Sequence, residues 1–91
     1  MAKQTGDEQP QFFTRLPVLR AERGLSRRAL ADLVGVHYQT IGYLERGEYS
    51  PSLVLALRIA ESLGVPIDAA FSLRPFSSMA DQLYNTEGED R

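Results

Sequence analysis

Residues 27–46 read Arg27-Arg28-Ala29-Leu30-Ala31-Asp32-Leu33-Val34-Gly35-Val36-His37-Tyr38-Gln39-Thr40-Ile41-Gly42-Tyr43-Leu44-Glu45-Arg46. Leu30, Leu33 and Val34 recur at helical spacing, with Ala29 and Ala31 filling in. Gly35 interrupts them, a residue suited to the positive φ of a tight turn. A second helix begins near His37 or Tyr38 and ends at Gly47. Its inward face is Ile41 and Leu44. Its outward face is Tyr38, Gln39 and Tyr43. Two short helices arranged this way present the second one to the major groove of DNA.

Helices are also predicted on either side. Upstream, Ser26 is the N-cap of the Arg27 helix. Before it, Leu16, Leu19 and Arg23 share helical spacing, with Thr14 as cap and Pro17 in the first turn, where a missing N–H is tolerated. Gly24 ends that helix. Gln11-Phe12-Phe13-Thr14 is either a short strand or the hydrophobic lead into the first helix. Downstream, Ser50-Pro51 reads as an N-cap followed by proline at the first helical position. The helix it opens runs to about Leu63. Leu53, Ala56, Leu57, Ala60 and Leu63 form its expected buried stripe, widened by Val54, Leu55 and Ile59. Gly64 ends it. Pro66-Ile67-Asp68 opens a last short helix through Phe71, and Phe71–Phe76 alternates at its start like a strand. The fold class is all-α, with five helices.

The 91 residues amount to one domain, with a hydrophobic fraction of 43%. A domain this small gains from a dimer interface. It has no cysteine, which excludes disulfides and thiolate metal sites, and one histidine. Nothing in the pattern calls for a metal or cofactor. The net charge of −2 is unevenly placed. Residues 15–65 hold seven arginines against five acids, a net of +2, whereas residues 66–91 carry a net of −3. The expected organisation is a disordered arm over 1–10, a binding and dimerisation domain over 11–76 and an acidic flexible tail over 77–91. That tail has one possible helical turn around Met79–Leu83. No apolar run approaches the roughly 20 residues that span a bilayer. With a polar start and no cysteine, the expected location is the cytoplasm.

Several short motifs occur in a specific order. They include Leu30-Ala31, Gly35-Val36, Gln39-Thr40-Ile41, Leu44-Glu45-Arg46-Gly47, Pro51-Ser52-Leu53 and Leu63-Gly64-Val65-Pro66. Over residues 11–76 the chain resembles the Cro/XRE-type, lambda-repressor-like helix-turn-helix regulators. It is most similar to their short stand-alone forms, such as the cytolysin repressor. The resemblance implies that Phe12–Thr14 pairs with Phe71–Phe76 as a small antiparallel sheet. It also implies that Arg20 and Glu45 form an ion pair tying the first helix to the third. In that setting Ala31 keeps the second and third helices close, and Val36, Ile41 and Leu44 plug the angle between them.

The candidate base-reading residues are His37, Tyr38, Gln39, Gly42 and Tyr43. Gln39 has the donor and acceptor needed to grip adenine at N6 and N7. His37 replaces the Ser or Thr usual at the cap in such proteins; a histidine caps less well, leaving its ring for a phosphate or base. Gly42 costs about 1 kcal/mol relative to alanine inside a helix, and can let DNA approach closely. Candidate phosphate contacts are Ser26, Arg27, Arg28, Thr40, Arg46 and Tyr49, beginning at a helix N-terminus that favours anions. Ile67, Phe71, Leu73 and Phe76 are the expected dimer interface.

Three functions compete for these residues. A sequence-specific regulator of double-stranded DNA, a repressor acting as a homodimer on a palindromic operator, uses the most features. One recognition helix covers only about 4–5 base pairs, and a two-fold dimer would read half-sites about 34 Å apart. An antitoxin or protein-binding adaptor with autoregulatory DNA binding would instead use the acidic tail on a protein partner. An enzyme lacks a nucleophile elbow, a phosphate loop and metal-ligand spacing.

Overall fold

A computed structural model of the chain describes residues 10–76. Strand β1 is Phe13–Thr14, followed by α1 (Leu16–Glu22), α2 (Arg27–Val34) and α3 (Tyr38–Glu45). Helix α4 (Leu53–Leu63), α5 (Ile67–Ala70) and strand β2 (Phe71–Ser72) complete the order. The tail over 77–91 and its turn at Met79–Leu83 lie outside the described residues, as does the arm up to residue 9. Pro10, expected within that arm, lies against Gly47.

Local chemistry accounts for most of the helix ends. Ser26 Oγ accepts the Ala29 N–H at 2.9 Å, satisfying one of the orphan donors of the first turn of α2. Gly35 stops that helix at φ 78°, where a Cβ would be strained. Two predicted caps are corrected. Thr14 does not cap α1: it lies in β1, and its Oγ1 is buried without a partner. Arg15 takes the N-cap position instead, with no side-chain bond. At α4 the cap is Ser52, whose Oγ accepts from the Leu55 N–H at 3.0 Å. The helix therefore starts two residues later than Ser50-Pro51 implies.

The largest fully buried side chains among the described residues are Leu16, Leu30, Ile41, Leu44, Ile59 and Leu63. They come from α1 through α4, so a single core lies between these helices. Ala31 is 1% exposed, which leaves α2 and α3 room to approach. The predicted stripes need adjustment. Leu33 is 60% exposed, and Leu53 (69%), Val54 (57%) and Leu57 (47%) are exposed too. The buried face of α4 is Ala56, Ile59, Ala60 and Leu63. Hydrophobicity alone does not say which of several apolar faces meets the core.

The sheet is shorter than the resemblance implies. β1 and β2 pair antiparallel only at Phe13↔Ser72 and Thr14↔Phe71. The Arg15 N–H extends the strap by donating to Ala70 O at 3.1 Å. Phe12 meets Phe71 with ring centroids 6.0 Å apart. The same N-terminal segment closes over the end of α3, where the Gln11 N–H donates to Gly47 O at 3.0 Å. A Cβ on Gly47 would overlap the Phe12 carbonyl oxygen and Pro10.

These burials separate two leucines that look alike in the sequence. Leu30→Ala is expected to cost roughly 2–5 kcal/mol, and Leu33→Ala less than about 0.5 kcal/mol. Urea unfolding of the two variants measures both.

Candidate DNA-reading face

The site is built on a buried carboxylate. Glu45 is the last residue of α3, where the helix dipole disfavours negative charge. Two arginines offset that cost. Arg20 of α1 donates from Nε to Glu45 Oε2 at 2.6 Å and from Nη2 to Oε1 at 3.3 Å. Arg27 of α2 donates from Nε to Oε1 at 2.9 Å. The Glu45 side chain is 3% exposed and that of Arg20 15%. One carboxylate thus joins three helices through charge-assisted bonds. Arg20 Nη1 also donates to Leu25 O at 3.0 Å, holding the chain between α1 and α2.

Further along the chain, Arg23 has a structural role that its spacing alone did not reveal. Its Nε donates to Leu63 O at 2.6 Å. A cation thereby satisfies a carbonyl at the C-terminus of α4.

The outward face of α3 carries Tyr38, Gln39 and Tyr43, all exposed. His37 is a working cap: its Nδ1 accepts the Gln39 N–H at 3.1 Å. With Nδ1 accepting, the neutral ring carries its proton on Nε2. That leaves Nε2 as the donor of the ring. The His37 ring stacks on Tyr38 at 4.7 Å between centroids, and the Arg28 guanidinium stands 4.3 Å from the Tyr38 ring. This row of rings under a cation extends from the start of α3 to the first turn of α2.

Gly42 differs from expectation. It is on the outward face but is buried. A Cβ there would lie 3.4 Å from Arg46 Nη1 and 3.9 Å from Arg27 Nη1. The two side chains cover the glycine, so its backbone is not itself open to a base. Around it, Arg27, Tyr38, Gln39, Gly42, Tyr43 and Arg46 line a shallow cleft of about 200 Å³. Among the expected phosphate contacts, Ser26, Arg28 and Tyr49 are exposed and Thr40 is half-buried.

The expected dimer residues divide. Leu73 is 83% exposed. Phe71 packs against the core, and Phe76 lies 5.7 Å from the Arg15 guanidinium. Ile67, Phe71 and Leu73 line an apolar groove of about 410 Å³ together with Phe12 and Ala56. The exposed Leu53, Val54 and Leu57 of α4 add apolar surface where the helical spacing predicts buried residues.

A helix-turn-helix family model, HTH_3, matches residues 19–69, which run from α1 into α5. The chain belongs to this family of DNA-binding transcription regulators. An uncharacterized HTH-type transcriptional regulator of Methanothermobacter thermautotrophicus is 60% identical over 45 residues. That match takes in 50% of this chain and 65% of the relative. The regulator YgzD of Bacillus subtilis is 42% identical over 55 residues, 60% of this chain and 83% of its own. Among solved structures, the restriction-modification controller protein C.AhdI of Aeromonas hydrophila superposes with a TM-score of 0.57 at 38% identity. It covers 60% of this chain and 83% of its own. Among the described residues, no helix is long and apolar enough to cross a membrane.

Removing one partner of the buried pair is the direct check on this arrangement. Arg20→Ala is expected to destabilise the protein toward the lower end of roughly 3–5 kcal/mol, because Arg27 still touches Glu45. The drop in the urea unfolding midpoint measures it.

Proposed function

We propose that the protein is a sequence-specific regulator that represses transcription as a homodimer on a palindromic operator. The reading rests on the outward face of α3, where Tyr38, Gln39 and Tyr43 are exposed on a helix whose far end is anchored by Glu45. An exposed helix on a rigid support can enter the major groove without reorganising. Gln39 is the adenine reader in this proposal. Tyr38 and Tyr43 contribute a hydroxyl bond or cover a thymine methyl. His37 supplies its Nε2 donor from the edge of the helix. Ser26, Arg28, Thr40 and Tyr49 surround the face and take the DNA backbone, with the N-terminus of α2 favouring an anion.

Dimerisation supplies the specificity that one helix lacks, since two half-sites are then read together. Leu73 is the centre of the proposed interface because it is the most exposed of its candidate residues. Ile67 and Phe71 contribute the groove walls beside it, and Phe76 its margin. The proposed domain spans residues 11–76 and combines both tasks. With a mildly basic middle, non-specific affinity is expected to be modest.

Selection from a random duplex pool is the deciding experiment. The expected outcome is an enriched inverted repeat with half-sites about 34 Å apart. A pool that stays random overturns the reading. On the selected site, Gln39→Ala is expected to cost about 1–3 kcal/mol and relax preference at one base pair. Arg28→Ala is expected to weaken all sequences alike and to lower the salt slope by about 1. For the interface, Leu73→Glu is expected to sediment as a monomer with unchanged helix content, while the parent sediments as a dimer.

A further inference from the structure

We propose that Gly42 sets base preference, because its missing side chain lets Arg27 and Arg46 lie over the middle of α3 as a paired reader of guanine. The inference rests on the DNA-binding reading above and assigns these two arginines to bases rather than to phosphates.

Two observations carry it. First, both guanidiniums are pinned at the same atom. Arg27 Nε is bound to Glu45 at 2.9 Å, and Arg46 Nε pairs with Glu48 at 3.2 Å. A guanidinium held at Nε keeps its Nη1 clear of the carboxylate, and two carboxylates ease the repulsion between two cations brought together. Second, those terminal nitrogens converge on one spot. Arg46 Nη1 and Arg27 Nη1 lie 3.4 and 3.9 Å from the place where a Cβ on Gly42 would stand. Tyr43 supports Arg46 from the side, its ring 5.3 Å from the guanidinium. Glycine is the least favourable residue short of proline in a helix interior. No core side chain lies within 4 Å of that Cβ position; both atoms found there are arginine ends.

The cleft needs a ligand with acceptors, because its cationic ends are donors without acceptor capacity. In a DNA groove the acceptors are phosphate oxygens along the rims and base edges on the floor. Gln39 and Tyr43, which belong to the outward face of α3, line the same cleft. A helix lying in the groove puts its midline against the floor. Guanine presents O6 and N7 there, the pair that a guanidinium matches with two parallel bonds. A side chain reaching well beyond a Cβ at position 42 would push the two arginine ends off the middle of α3. It would displace flexible side-chain ends rather than backbone, so the fold itself tolerates it.

The test uses the full chain and the operator that selection yields. Each guanine of a half-site is replaced in turn by 7-deazaguanine, which removes N7 and leaves the phosphates untouched. One or two guanines near the middle of each half-site are expected to weaken binding about tenfold or more. With Arg46→Met the same replacements should have no further effect. Gly42→Leu should lose the guanine preference while its thermal midpoint stays at or above that of the parent. Replacements harmless at every guanine would overturn the proposal. So would an Arg46→Met variant that weakens all sequences alike and lowers the salt slope by about 1, the signature of a phosphate contact. A selection that enriches no sequence at all is a different result, because it refutes DNA reading by this face altogether and the guanine assignment with it.

Discussion

A single buried carboxylate sets the geometry of this protein. Glu45 sits at the end of α3, where its charge is unfavourable both for burial and for the helix dipole. Arg20 and Arg27 hold it from α1 and α2. Their combination fixes the relative position of three helices. The outward face of α3 is therefore presented at a set angle. A side chain free to reorient there would lose the entropy of ordering on binding; one already fixed loses little.

The same carboxylate links stability to recognition. Arg27 contributes its Nε to the buried carboxylate and its Nη1 to the cleft over Gly42. A structural residue and a surface residue are thus one side chain. At the other end of α3, His37 has a comparable double use. Its Nδ1 satisfies the Gln39 N–H, which leaves Nε2 unused by the cap. The face is built from groups whose first hydrogen bonds are already made to the protein, so that only their free ends meet a ligand.

The two-residue strands have a similar effect at the ends of the described chain. β1 and β2 bring the segment before α1 against the segment after α5, and Phe12 against Phe71. Gly47 lets the N-terminal segment cross close to the end of α3. The termini of the described domain are in this way tied to the core. Leu73, directly after the strap, is left exposed beside the apolar groove.

Much of this was legible without coordinates. Helix order, the Ser26 cap, the turn at Gly35 and the inward pair Ile41 and Leu44 follow from local preferences that need only near neighbours. The Arg20–Glu45 pair followed from family resemblance, since nothing local relates residues 25 apart in the chain. Tertiary structure decided what local rules leave open. It chose Ser52 over Ser50 as the cap of α4 and left Leu33, Leu53, Val54 and Leu57 outside the core. It also drew Arg27 and Arg46 together above Gly42. Helical spacing defines faces, but only the packing of several helices at once determines which face is buried and which side chains from separate helices meet.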